Sequence, residues 1–227
     1  MPHQQPQFPR PRLYLITPPQ FDPPHFAHTL DEALSAGDVA CLQLRLKNKD
    51  GQAVDDTRIA QAIAAIQPVT QAHDVALLIN DRPDLAKKFA ADGAHIGQQD
   101  MPYKKARAIL GDDKIIGVTC HNSRHLAMMA GEMGADYVAF GAFYDTPTKP
   151  AKTTATPDLL HWWQQLMELP CVAIGGITPD NAAPLLEAGA DFIAASSSVW
   201  QHPKNPADAI RNFNALFDTI HKNLPQT

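Results

Sequence analysis

Ala188-Gly189-Ala190-Asp191-Phe192 closes one helical stretch and opens a β-type run, and Met133-Gly134-Ala135-Asp136-Tyr137 does the same earlier in the chain. Ala36-Gly37-Asp38-Val39 and Ala91-Asp92-Gly93-Ala94 are related versions of the same return. Glycine tolerates the left-handed backbone that ends a helix, so Gly37, Gly134 and Gly189 read as C-terminal caps. Working outward from these returns, eight short β-type runs appear: Leu13–Ile16, Val39–Leu44, Val75–Ile79, Ala94–Ile96, Ile115–Val118, Tyr137–Phe140, Cys171–Ile174 and Phe192–Ala195. Helical stretches separate them, near Phe26–Ala36, Asp55–Ala72, Pro83–Phe89, Tyr103–Leu110, Ser123–Met133, Pro157–Met167, Asn181–Ala188 and Pro206–Leu224. Strand then helix, eight times, predicts an α/β chain closed into a (β/α)8 TIM barrel. The returns precede the second, fourth, sixth and eighth runs, which suits a barrel made of similar quarters. The rival is a doubly wound open sheet. It calls for Gly-x-Gly-x-x-Gly after the first strand, where Thr17-Pro18-Pro19 stands instead.

The chain has 227 residues, 44% apolar and 19% charged, which is enough to bury one core of this kind. Residues 1–12 carry four prolines and no apolar periodicity, and are expected to form a flexible N-terminal tail. Residues 13–227 then make a single barrel domain. A net charge of −5, with no run of Lys or Arg, offers no electrostatic footprint for a polyphosphate backbone or an anionic leaflet. The expected partners are small molecules, with no nucleic acid and no membrane, and room is left for a homo-oligomer. Apolar runs such as Val75–Ile79 are too short to span a bilayer. Cys41, Cys120 and Cys171 are odd in number and widely spaced, which fits reduced, buried thiols and a cytoplasmic setting.

In such barrels the chemistry sits on the loops after the C-terminal strand ends, and here those positions are unusually polar. Gln43, Arg45 and Lys47 follow the second strand, with Arg45 and Lys47 alternating with Leu44 and Leu46 so that both can point inward. Asn80 and Asp81 follow the third strand, Gln98, Gln99 and Asp100 the fourth, and Thr119 and His121 the fifth. Thr146, Thr148 and Lys149 add two hydroxyls and a third cation, a set suited to phosphate oxygens. Asp81 and Asp100 end adjacent strands and can share one divalent ion. Hard oxygen ligands, few in number and accompanied by phosphate, are what Mg²⁺ takes. The plain alternatives are an ion pair of Asp81 with Arg82 and a helix cap by Asp100. Gly175-Gly176 after the seventh strand and Ser196-Ser197-Ser198 after the eighth offer bare amides and hydroxyls for a second anion. Other features read as structural. His121 and His125 lack the glutamate of a zinc helix, and Cys120 faces away from His121. Trp162, Trp163, Met128, Met129 and Met133 are expected to fill the space against the barrel.

Gln43-Leu44-Arg45-Leu46-Lys47, Ile79-Asn80-Asp81, Gly97-Gln98-Gln99-Asp100, Gly117-Val118-Thr119, Thr146-Pro147-Thr148-Lys149 and Ile174-Gly175-Gly176-Ile177 together resemble, in order and spacing, the thiamine phosphate synthase family. The resemblance runs from about Leu13 to Trp200. It implies a Mg²⁺-dependent barrel transferase that joins hydroxymethylpyrimidine diphosphate to a thiazole phosphate and releases diphosphate. Carried over by position, it puts Arg45, Lys47 and Asn80 on the pyrimidine diphosphate, Asp81 and Asp100 on Mg²⁺, and Lys149 on diphosphate oxygens. Thr119 replaces a family serine near that diphosphate. Thr146, Thr148, Gly176 and Ser197 would hold the thiazole phosphate. Leu46, Arg82, Gln99 and Ala142 depart from the family's usual glutamate, aspartate, glutamate and proline. Two other readings remain open at this point: a thiazole tautomerase-like enzyme using His121 as acid and base, and a non-catalytic barrel that binds a phosphate ligand.

Overall fold

The computed structural model describes residues 9–145 and 153–223. Its elements run β1 (Arg12–Ile16), α1 (Pro23–Leu34), β2 (Val39–Leu44), α2 (Asp56–Ala72), β3 (Ala76–Asn80), α3 (Pro83–Lys88), β4 (Gly93–Ile96), α4 (Tyr103–Leu110), β5 (Ile115–His121), α5 (Arg124–Glu132), β6 (Tyr137–Gly141), α6 (Pro157–Leu166), β7 (Cys171–Ile174), α7 (Ala183–Glu187), β8 (Phe192–Ala195), α8 (Ser197–Trp200) and α9 (Pro206–Asn223). All neighbouring strands pair in parallel, and β8 returns to β1, so the sheet closes into the expected barrel.

The repeated returns have a shared physical task. Asp92 Oδ2 accepts from the Leu77 amide at 2.7 Å, Asp136 Oδ2 from the Ile116 amide at 2.7 Å, and Asp191 Oδ2 from the Cys171 amide at 2.8 Å. Each aspartate ahead of an even strand ties down the start of the odd strand before it. Asp38 makes the matching link to β1 through the Arg12 guanidinium, at 2.9 and 2.7 Å. These bonds satisfy amides at the barrel floor, which explains why the pattern recurs once per two strands. Asp136→Ala would leave the Ile116 amide unpaired and deprive Arg107 of its 2.6 Å partner. The expected cost is about 1–3 kcal/mol, a fall in Tm of roughly 3–10 °C for a domain of this size. Asp136→Asn keeps an acceptor and should recover much of it. Thermal unfolding checks this, and an alanine variant as stable as the wild type would refute it.

Two cores result from the closed sheet. Leu13, Leu15, Leu42, Leu44, Leu77 and Ile79 face the surrounding helices, while Tyr14, Ile16, Cys41, Leu78, Tyr137, Ala139, Val172 and Ala194 fill the barrel interior. All three thiols are free and buried, as expected.

Four readings need correction. Arg12 belongs to β1, and Arg10 is tied to Asp38 and Asp218, so the barrel begins ahead of Leu13. Residues 1–8 lie outside the described residues. Gly134 and Gly189 do take the left-handed conformation, with φ of 91° and 99°, whereas Gly37 does not. Gly37 is needed for closeness instead, because a Cβ there would lie 2.8 Å from Asn214 Nδ2. Met129 and Met133 are 42% and 37% exposed and fill nothing, since Met129 lies on the outer side of α5 and Met133 caps its exposed C-terminal end. Finally, Ser197 opens the short helix α8, a stretch read from the sequence as a loop.

Candidate active site

At the C-terminal ends of the strands lies a cavity of about 470 Å³ to which every strand or the loop after it contributes. Of the residues singled out in the sequence, Gln43, Arg45, Lys47, Asn80, Asp81, Asp100, Thr119, Gly175, Gly176, Ser196 and Ser197 all line it. Thr146, Thr148 and Lys149 lie outside the described residues.

One half of the cavity is charged. Arg45 and Lys47 extend from β2 on the same side, as strand alternation dictates. Lys47 Nζ stands 3.6 Å from Asp81 Oδ2, whereas Arg45 has no carboxylate within ion-pair distance among the described residues. Burial draws the Arg45 guanidinium below its usual pKa, with Asp81 partly opposing that effect. An unpaired, partly desolvated guanidinium is costly, and its presence points to an anionic ligand.

Asp81 follows β3 in a left-handed backbone conformation, φ 62°, with its amide donating to the His95 carbonyl at 2.8 Å. Aspartate tolerates that conformation better than most residues, and such strain gathers at functional sites. The turn aims Asp81 into the same cavity that Asp100 lines, and the two carboxylates influence one another there. Burial first, and then Asp100, push Asp81 up to about 6, against the pull of Lys47 and Arg45. Neither plain alternative holds. Arg82 turns away to Asp56 and Asp84, and α4 has Pro102 at its N-cap with no side-chain cap hydrogen bond. Asp100 Oδ2 accepts instead from the Gly97 amide at 2.8 Å, which holds its own loop in shape.

The opposite half is neutral. Gly175 and Gly176 have φ of 108° and 63°, and a Cβ on Gly176 would lie 2.2 Å from the Asp145 carbonyl oxygen, so that close approach requires glycine. The Ser196 hydroxyl donates to the Thr17 carbonyl at 3.3 Å. Its proton is therefore committed to joining the β8 and β1 ends, a narrower role than the direct anion donor read from the sequence.

Among the lining residues that escaped the sequence reading, His95 is the one with a buried titratable side chain. His95 sits in the middle of β4, 8% exposed, with Nε2 2.7 Å from Thr119 Oγ1. The signal was there in the strand alternation: Ala94 and Ile96 pack outward, so the residue between them must face the barrel interior.

The family model for thiamine monophosphate synthase matches residues 13–199. A thiamine-phosphate synthase of Rhodospirillum centenum is 60% identical over 205 residues, covering 90% of this chain and 97% of that protein. One of Hyphomonas neptunium is 58% identical over 213 residues, 93% of this chain and 96% of the relative. Among solved structures, a thiamine phosphate pyrophosphorylase from Pyrococcus furiosus superposes with a TM-score of 0.79 at 28% identity, covering 93% of this chain and 97% of its own. These matches separate the synthase from the tautomerase-like and non-catalytic readings. The chain belongs to the thiamine monophosphate synthase family, a family of transferases in thiamine biosynthesis.

Proposed function

We propose that the cavity couples hydroxymethylpyrimidine diphosphate to thiazole phosphate, with the diphosphate on the cationic half and the monophosphate on the neutral half. The observation that carries this reading is the division of one cavity between Arg45, Lys47, Asp81 and Asp100 on one side and Gly175, Gly176 and Ser197 on the other. The diphosphate has the larger charge and gains more as it leaves, so electrostatic matching assigns it to Arg45 and Lys47, and the family resemblance adds Lys149 as a third cation. Gln43 and Asn80 would orient the pyrimidine. Thr146, Thr148 and the amides of Gly176 and Ser197 would hold the thiazole phosphate.

Asp81 and Asp100 fit a magnesium ion. They are two mutually repelling oxygen donors, no group of three metal-binding side chains occurs among the described residues, and Mg²⁺ characteristically leaves its other positions to water and phosphate oxygens. The bound ion would neutralise charge on the departing diphosphate. The rest is positioning by the chain. The C–O bond to diphosphate breaks with its electron pair leaving on oxygen, and the thiazole nitrogen lone pair forms the new C–N bond. No proton must be removed from that nitrogen, so no general base is required. Among the described residues no helix is long and apolar enough to cross a membrane, and three buried free thiols suit a reducing cytosol.

Gly176→Val tests the assignment of the two halves. The variant cannot keep Gly176's backbone conformation without strain or approach a phosphate as closely, so the KM for thiazole phosphate should rise about tenfold or more while that for the pyrimidine diphosphate changes little. Steady-state kinetics with each substrate varied in turn decide it. A rise confined to the pyrimidine diphosphate would reverse the assignment.

A further inference from the structure

A line of hydrogen bonds crosses the barrel interior beneath the cavity. Tyr14 Oη lies 2.9 Å from Tyr137 Oη, Tyr137 Oη lies 2.9 Å from His95 Nδ1, and His95 Nε2 lies 2.7 Å from Thr119 Oγ1. The four residues come from β1, β6, β4 and β5, and Tyr14, Tyr137 and His95 are all buried. Space is reserved for the chain. Gly117 pairs with Tyr137 across β5 and β6, and a Cβ at Gly117 would fall 1.8 Å from Tyr137 Cζ. The His95 ring stacks on Tyr137 at 5.6 Å.

We propose that Tyr14, Tyr137 and His95 form a polarised chain that holds Thr119 as a hydrogen-bond donor into the cavity, with Tyr137 as the positioning residue that selects the His95 tautomer. The polarity follows from counting protons. If Nδ1 carries a proton, it donates to Tyr137. Each phenol then has a proton of its own, and only one of the two can be used between them. One buried hydroxyl is left with no acceptor among the described residues, at a cost of about 1–3 kcal/mol. A doubly protonated ring leaves the same orphan. Only one arrangement satisfies every buried donor: Tyr14 donates to Tyr137, Tyr137 donates to Nδ1, and Nε2–H donates to Thr119. Burial draws His95 down to about 4, in keeping with a neutral ring. Because Thr119 Oγ1 already accepts from Nε2–H, its own proton is directed elsewhere, and the cavity it lines offers a ligand acceptor. That ligand is an oxyanion. On the reading given above, which this step rests on, it is the departing diphosphate. A donor aimed in advance needs no reorganisation when charge develops.

Histidine-selective ¹⁵N NMR of the ligand-free protein reads the tautomer directly, with the His95 signals assigned by their loss in His95→Gln. The chain requires a protonated Nε2 and a bare Nδ1, and a protonated Nδ1 in the wild type overturns it whether or not any variant folds. Kinetics supply the second arm. Tyr137→Phe should lower kcat roughly tenfold with little change in either KM. It should add nothing in a Thr119→Val background, because Tyr137 acts only through Thr119. Thr119→Ser should restore the rate. Multiplying effects of Tyr137→Phe and Thr119→Val would show two independent roles and refute the relay. A protonated Nε2 combined with an unaltered kcat in Thr119→Val would leave the tautomer standing and remove the diphosphate as the donor's ligand, so the two failures are distinguishable.

Discussion

Asp100→Asn is expected to reduce coupling by roughly three orders of magnitude, the several kcal/mol that a Lewis-acid ion contributes to a charged transition state. The substitution is chosen because asparagine can still accept from the Gly97 amide, the bond that shapes this loop. Fold and loop should therefore persist while the charge is lost. Asp81→Ala should have an effect of similar size. A second readout separates metal loss from general damage. Mg²⁺ bound only by the folded protein raises stability by about 2.7 kcal/mol at a hundredfold excess over Kd, so the wild-type Tm should climb with added Mg²⁺ and that of either variant should not. A variant that keeps its Mg²⁺-dependent rise in Tm would exclude that carboxylate as a ligand.

Arg45→Met is expected to move activity and stability in opposite directions. Arg45 is a partly buried cation with no ion-pair partner among the described residues, and burial already weakens its charged form. In the ligand-free protein it costs stability, and in the complex it meets the anion. Methionine has similar length and no charge to desolvate. Removing the cation should lower kcat/KM by about a hundredfold or more, in line with loss of a charged hydrogen-bond donor. The same change should raise Tm by a few degrees, the usual reward of relieving a functional strain of about 1 kcal/mol. Differential scanning calorimetry alongside initial rates tests both signs. A fall in Tm with Arg45→Met would mean the guanidinium has a structural partner and is not held in reserve for substrate.

The barrel was legible because its signals are local. Each β-type run is a short apolar segment, and the returns ahead of β4, β6 and β8 each supply the aspartate that ties down the start of the preceding strand. The polar strand ends were legible for the same reason, since position after a strand decides which residues face the cavity. What escaped depends on contacts between elements far apart in sequence. The Ser196 hydroxyl is spoken for by Thr17, and Arg82 is drawn outward by Asp56, and neither partner is near in the chain. Arg82 thus adds no cation to the cavity lining. His95 was hidden differently. Between Ala94 and Ile96 it looks like a polar interruption of an apolar strand, and its meaning depends on Tyr137, which in turn depends on the missing side chain at Gly117.

The central claim is that one cavity holds two differently charged phosphate substrates and joins them. The most direct test incubates purified protein with Mg²⁺, hydroxymethylpyrimidine diphosphate and thiazole phosphate, and follows diphosphate together with the coupled product. Release of one diphosphate for each thiamine phosphate formed, requiring both substrates and lost on adding a chelator, is the predicted result. Diphosphate released at the same rate without the thiazole would mark a hydrolase and contradict the claim, as would a protein that binds both substrates and releases nothing.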